Sequence, residues 1–189
     1  MLKGTKTEQN LLKAFAGESQ ARNRYTIYAS RAKKDGFEQI AAIFLETADN
    51  EREHASLFYK KLEGGTVEIS TSYPAGDLGS TLDNLAFAAN GEKDEAEVLY
   101  PAFAKTAREE GFDDIASMFE RIATIEAHHH NRYIKLFENV KNSKVFSRDA
   151  EVYWVCRECG YVHKGTSAPL VCPVCSHAQG FYQLMVETY

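Results

Sequence analysis

Two tetrads of the form Glu-x-x-His, Glu51-Arg52-Glu53-His54 and Glu126-Ala127-His128-His129, stand in this 189-residue sequence. Residues three apart share a face of a helix, so each tetrad would present a carboxylate beside an imidazole. The neighbouring apolar residues turn that face inward: Phe44, Ala48, Ala55 and Phe58 share the first stripe, and Phe119, Ile122 and Tyr133 the second. A carboxylate buried in this way is costly unless it is paired or bound to a cation. Glu18 interrupts a third stripe that runs through Leu11, Phe15 and Tyr25, while Glu92 and Glu95 follow Leu85 and Ala89 on a fourth. Ion pairing would require basic partners inside, and Arg22 is the one basic residue the pattern places near these stripes. One Glu from each of two helices and one Glu-x-x-His from each of two others form the donor set of a two-metal carboxylate centre. Mixed carboxylate and imidazole donors suit iron or manganese better than magnesium.

A second chemistry lies near the C-terminus. Cys156-x-x-Cys159 and Cys172-x-x-Cys175 form two paired knuckles, and the sequence holds no other cysteine. Such clustering argues for a metal site rather than disulfides. Four sulfurs close a tetrahedron that selects zinc or iron. Zinc there would be structural and iron would carry one electron; spacing does not choose between them.

The elements that position these groups follow from periodicity. From Thr5 to about Val140 apolar residues recur at three and four, the mark of amphipathic helices. Thr5-Lys6-Thr7-Glu8 has the spacing of a capping box, and Ser80 to Asp83 resembles a second helix start. Asp35-Gly36 and Glu110-Gly111 mark short turns, and Gly64 to Gly79 a longer connection. The expectation is a mainly α chain: four long helices paired two and two with one crossover, the ferritin-like form of the four-helix bundle. Past Ser147 the helical period is lost, and β-prone pieces (Val152–Val155, Tyr161–His163, Phe181–Val186) flank the cysteines. This divides the chain into a bundle over 1–146 and a small β/loop metal domain over 147–189. A unit of roughly 40 residues has too little core to stand without a staple, here the metal.

An internal repeat ties the elements to the site. A shift of 75 residues lays Asp35–Phe44 on Glu110–Phe119, Tyr25 on Tyr100, Glu51 on Glu126 and His54 on His129. Two-fold packing of the halves makes Glu51 and Glu126 the natural bridges, with Glu18 and Glu92 at opposite ends and one histidine on each metal. Glu95 has no counterpart, since its shifted position falls on Gln20 or Ala21. A surplus carboxylate can compete with a histidine, carboxylate favouring ferric and imidazole ferrous iron, so a redox-linked ligand exchange is expected. Tyr25 and Tyr100 are inner-face residues, either core aromatics or donors to the carboxylates. His128 and His130 point off the ligand face toward solvent, and His163 and His177 have no place in a complete four-sulfur site. Glu18 and Glu92 match at 74, so one residue has been gained before Tyr100. Within a continuous helix the extra residue is absorbed as a π-bulge, with Pro101 loosening the same turn.

Composition narrows the class. Lys+Arg 22 against Asp+Glu 27 leaves a net charge of −5, so no nucleic-acid partner is expected. No apolar run reaches the roughly 20 residues of a membrane span, and MLKGTKTEQN lacks a signal-peptide core, so a cytoplasmic location is expected.

Ala14–Tyr25 (AFAGESQARNRY), Glu46–Ala55 (ETADNEREHA), Glu92-x-x-Glu95 with Tyr100-Pro101, Glu126-x-x-His129 and the two cysteine knuckles together resemble the rubrerythrin family over the full chain. The C-terminal module, Cys156 to Tyr161 followed by Cys172-Pro173-x-Cys175, resembles rubredoxin, with Trp154, Tyr161 and Phe181 as its packing aromatics. Ser176 stands where free-standing rubredoxins have glycine. The resemblance implies a non-haem di-iron peroxidase that reduces hydrogen peroxide to water in oxidative-stress defence. Electrons would come from NAD(P)H through a reductase or rubredoxin and the four-cysteine iron. It assigns Glu18, Glu51, Glu92, Glu95, Glu126 and His129 as catalytic di-iron ligands, with His54 alternating with Glu95 on one iron. It further implies a head-to-tail homodimer. The alternative is a ferritin-like ferroxidase or iron-binding protein with a structural zinc ribbon, which gives Glu95 and the cysteine tail no task.

Overall fold

The computed structural model describes residues 1–76 and 78–187. Helices α1 (Lys6–Lys34) and α2 (Glu38–Lys60) form one hairpin. After the crossover come α3 (Thr81–Asp94), a π-helical turn over Glu95–Leu99, α4 (Tyr100–Glu109) and α5 (Asp113–Lys141). The third long helix is therefore broken at the point where the repeat arithmetic demands an extra residue.

Local chemistry sets the helix ends. Thr5 caps α1 by accepting the Glu8 amide, but Glu8 reaches back to the Gly4 amide at 2.7 Å, so the box closes one residue early. Ser80 and Asp83 make a complete capping box on α3. Both hairpins turn through a glycine at positive φ, Gly36 at +82° and Gly111 at +83°. In each, the next amide (Phe37, Phe112) bonds five residues back, to Ala32 and Ala107, closing the helix end in a Schellman motif.

The turn acids do a further job that runs between the halves. Asp35, ending the first hairpin, accepts the Thr81 amide at 2.9 Å and the Thr81 hydroxyl at 2.7 Å, at the start of α3. Glu110, its repeat mate, accepts the Thr7 amide at 2.8 Å and the Thr7 hydroxyl at 2.6 Å, at the start of α1. Each hairpin thus caps the first helix of the other.

The core is two apolar plugs separated by a polar layer. One contains Tyr25, Tyr28, Ile40, Phe44, Leu85 and Tyr133; the other contains Leu11, Phe58, Tyr100, Phe103, Ile115 and Phe119. On every helix the Glu or Glu-x-x-His lies between a residue of one plug and a residue of the other. Arg22 is exposed, which corrects its expected place near the interior carboxylates: it lies on the solvent side of α1.

Past α5 the chain forms an antiparallel three-stranded sheet in the order β2-β1-β3, with β1 Ser147–Cys156, β2 Val162–Ser167 and β3 Tyr182–Leu184. β1 begins earlier than its β-prone core, since Ser147 pairs with Ser167 across a register shift before Val152. Trp154 is fully buried and donates through Nε1 to the Gly165 carbonyl at 3.0 Å, under the Arg148 guanidinium. The sheet docks on the α1–α2 turn. Phe146 stacks on Phe37 with ring centroids 6.0 Å apart, and a Cβ at Gly180 would lie 2.4 Å from the Gly36 carbonyl oxygen.

The reciprocal caps predict an acid-sensitive stability. At Asp35 burial alone would raise the carboxyl, but hydrogen bonds from Arg31 and Thr81 outweigh it and lower the pKa; at Glu110 the Thr7 hydrogen bonds lower it. A lowered folded pKa gives stability that is full above the unfolded values of about 4 and fades as pH falls through the folded ones. Asp35→Ala should cost about 1 kcal/mol at pH 7, in line with other caps. Denaturant melts at pH 7 and pH 3 should show the gap to wild type closing in acid; an equal gap at both would assign the loss to packing.

Candidate metal centre

Four helices each send one acidic group to the layer between the plugs. Glu18, Glu51, Glu92 and Glu126 are at most 1 % exposed, and His54 and His129 at most 5 %. Their donor atoms form two overlapping sets, Glu18/Glu51/His54/Glu126 and Glu51/Glu92/Glu126/His129, each with its atoms within 4.8 Å of one another. Glu51 and Glu126 belong to both. His54 Nδ1 lies 2.9 Å from Glu51 Oε2 and 2.9 Å from Glu126 Oε1; His129 Nδ1 lies 2.8 Å from Glu126 Oε2 and 3.3 Å from Glu51 Oε1.

These approaches are close yet lack hydrogen-bond direction. Both Nδ1 atoms, both oxygens of Glu51 and Glu126, Glu18 Oε2 and Glu92 Oε2 are buried without a hydrogen-bond partner. Donors about 2.1 Å from a shared cation stand about 3 Å apart along the edges of its polyhedron. Orphaned atoms converging at that spacing fit two divalent ions.

The outer oxygens are tied down. Tyr25 donates to Glu92 Oε1, and Tyr100 to Glu18 Oε1, each a short contact across the two halves. Both tyrosines are thus core aromatics and hydrogen-bond donors at once, and each leaves the other oxygen of its carboxylate facing the centre. Tyr133 stands where the repeat has Phe58, 5.5 Å from the Tyr25 ring with its own hydroxyl unpartnered.

Glu95 stands apart from both sets. Carried on the π-helical turn, it is half-buried and lines a cavity of about 180 Å³ with Gly17, Tyr73, Leu99 and Tyr100. Burial raises its pKa well above the usual carboxylate range, and Glu18 is the strongest of the charges that add to it. Tyr73, from the crossover, roofs this cavity by donating to the Lys13 carbonyl at 2.7 Å. Of the other histidines, His128 is exposed as expected, whereas His130 is half-buried and places Nδ1 2.7 Å from the Ala89 carbonyl.

The cysteine knuckles also close as expected. Cys156 and Cys175 sulfurs are 3.7 Å apart, and those of Cys159 and Cys172 3.6 Å, the edge of a tetrahedron whose metal–sulfur bonds are about 2.3 Å. Gly160 and Ser176 take the same place in the two knuckles, each amide bonding back to Cys156 or Cys172, with φ at +78° and +62°. Ser176 therefore keeps the glycine-like backbone at some cost in strain. Cys172 is brought down to about 6: burial opposes ionisation, but the Tyr182 hydroxyl and the amides of Val174 and Cys175 outweigh it.

Comparison with known proteins decides the family. The Rubrerythrin family model matches residues 9–137 and again 83–157, and the model for the rubrerythrin rubredoxin-like domain matches 154–183. The chain belongs to the rubrerythrin family. It is 54% identical over 188 residues to the rubrerythrin of Porphyromonas gingivalis, covering 100% of this chain and 94% of that protein. A structure of nigerythrin in a mixed-valent state aligns at TM-score 0.64 and 32% identity, covering 98% of this chain and 92% of that one. A bacterioferritin of Desulfovibrio desulfuricans, 24% identical, shares the fold at TM-score 0.65 over 74% of this chain and 82% of that one. The rubrerythrin bundle is thus ferritin-like, with a di-iron-type carboxylate–histidine site and a rubredoxin-like four-cysteine site. Among the described residues no helix is long and apolar enough to cross a membrane.

Sequence reasoning missed Asn50, whose Oδ1 lies 3.3 Å from His129 Nε2. It also missed Tyr73. Asn50 adjoins Glu51 and could have been found by asking what faces the second nitrogen of each histidine; a crossover residue such as Tyr73 carries no periodic signal.

The charge state of the centre predicts proton release. Burial pushes Glu18 up to about 8 and raises Glu92 well above the usual carboxylate range. Burial would lower His129, but Glu126, Glu51 and Glu92 raise it to about 11, and His54 is raised likewise by Glu126, Glu18 and Glu51. At pH 7 these four groups hold protons that a metal must displace, so affinity should rise with pH. Filling the metal-free centre with two divalent ions should release about four protons per chain, read by pH-stat titration. Uptake without acidification would refute this charge state.

Proposed function

We propose that this chain is a di-iron peroxidase, H2O2 + 2e⁻ + 2H⁺ → 2H2O, acting in defence against oxidative stress. The observation that carries the reading is a pair of donor sets sharing Glu51 and Glu126, in one chain with a four-sulfur site. Two ferrous ions at the centre would supply the two electrons that cleave the O–O bond. Glu18, Glu51, Glu92, Glu126, His54 and His129 hold the metals, and Glu95 is the further catalytic carboxylate.

The protein's own groups handle access, protons and water. The cavity beside Glu95 is also lined by Tyr100, whose hydroxyl binds Glu18, so it offers a small substrate an approach to the edge of the centre. Glu95, whose pKa burial raises, stands at that mouth, placed to act as a proton donor. The Tyr25 and Tyr100 hydroxyls keep Glu92 and Glu18 fixed while charge changes beside them. The apolar plugs keep bulk water from the centre. Glu95 shares its cavity with Tyr100, which binds Glu18 of the His54 donor set, and this supports Glu95 as the carboxylate that would exchange with His54 at a bound iron.

Electrons would enter through the four-cysteine domain over 147–189, loaded with iron, and originate in NAD(P)H through a reductase or rubredoxin. That domain docks at Gly36, fifteen residues before Glu51 in the sequence, which is about 22 Å of helix. Beside the sulfur site Leu170 and Val174 are exposed apolar residues, 77 % and 65 % accessible. A head-to-tail homodimer would set this face of one copy near the bundle of the other.

Anaerobically reduced protein should be reoxidised faster by peroxide than by dioxygen. Preference for dioxygen with iron retention would favour a ferroxidase. Glu95→Ala should keep both irons and slow peroxide turnover by about tenfold or more, as loss of a tuning ligand does; turnover at the wild-type rate would reduce Glu95 to a solvated acid. Mixing Cys156→Ser with Glu51→Ala protein should restore activity if electrons cross between chains. Inert mixtures, with heterodimers present by mass spectrometry, would place transfer within one chain.

A further inference from the structure

His54 and His129 are equivalent in the repeat and both aim Nδ1 into the carboxylate layer, but their second nitrogens meet different surroundings. His129 Nε2 lies 3.3 Å from Asn50 Oδ1 across the α2–α5 interface. The repeat mate of Asn50 is Ile125, which has no hydrogen-bonding side-chain atom. Among the described residues no acceptor reaches His54 Nε2. An imidazole that gives Nδ1 to a metal carries its proton on Nε2, and a partner on that proton fixes the ring and raises its basicity. Toward an Nε2–H the Asn50 amide can present only its oxygen. The terminal carboxylates do not create this difference, because each has a tyrosine on its outer oxygen.

We infer that Asn50 is a positioning residue that anchors His129 as a lasting metal ligand, while Ile125 leaves His54 unanchored, so that the two metal positions differ in retention. The His129 position holds its ion more tightly than the His54 position does. The inference rests on the metal reading of the centre. It locates the lability in the protein outside the ligands, at one amide present on one side of the pseudo-two-fold and missing on the other.

The test titrates metal-free protein with Co²⁺, whose visible absorption reports nitrogen and oxygen coordination; the cysteine site is followed separately by its sulfur-to-metal charge-transfer band. Wild type should fill the bundle centre in two steps of unequal affinity. Asn50→Leu should weaken the tighter step 10–100-fold and leave the other in place. Asn50→Asp, which retains the acceptor, should preserve the tighter step. Ile125→Asn, at a 39 % exposed position, should tighten the weaker step and bring the two together. Should Asn50→Leu fail to fold by circular dichroism, the Ile125→Asn result decides alone. Unchanged steps in Asn50→Leu, or an Ile125→Asn protein identical to wild type, would overturn the inference with the metal centre intact. Wild-type protein that takes up no cobalt outside the cysteine site would overturn the metal reading itself.

Discussion

Four carboxylates and two imidazoles are buried in one layer of this bundle, and no Lys or Arg among the described residues pairs with Glu18, Glu51, Glu92 or Glu126. Removing each charge from water costs several kcal/mol, and like charges at these distances add to it. Without metal the layer takes up protons, which is why Glu18 and Glu92 are raised in pKa and the histidines are held as cations. The plugs above and below keep water from relieving this cost. The tyrosines take up one oxygen of each terminal carboxylate and leave the other for a cation. The packing, the hydrogen bonds and the charge state all follow from that one demand for positive charge at the centre of the bundle.

The duplicated hairpin meets this demand with half the information a four-helix site would otherwise need. Each half gives the other what it lacks: Tyr25 holds Glu92, Tyr100 holds Glu18, Asp35 caps α3 and Glu110 caps α1. Contacts that always run between halves favour the paired hairpins over either one alone. The departures from symmetry are correspondingly informative. The π-helical turn adds Glu95, Asn50 has Ile125 as its repeat mate, and Tyr133 stands where the repeat has a phenylalanine. All three adjoin the metal layer. Since a symmetric layer could hold two ions equally well, the departures concern what the two ions do differently.

How much of this was legible in the sequence depended on whether a feature leaves a periodic trace. The paired tetrads, their inward phase and the knuckle spacing did, and so did the π-helical turn, because a one-residue slip in a repeat is countable. Asp35 and Glu110 read only as turn residues, since a cap on a distant helix has no signature near its own position. Arg22 was misplaced because one residue of helical phase, 100°, separates the interior face from its edge. Asn50 was passed over because polar residues beside a ligand are ordinary on helix surfaces, and its partner lies 79 residues away.

The position of the cysteine domain follows from the same packing that shields the metals. Gly36 must adopt positive φ to end α1, and having no side chain it also leaves the room in which Gly180 approaches its carbonyl. Phe146 against Phe37 then fixes the sheet at the end of the bundle capped by the Tyr25, Tyr28, Phe44 and Tyr133 plug. That plug excludes water from the centre, and it also separates the two metal sites of one chain. Moving the domain closer would mean thinning the apolar layer that makes the centre dry. A second copy, as proposed, would resolve the conflict: shielding would be kept within each chain, and proximity would be supplied between chains by the exposed residues Leu170 and Val174.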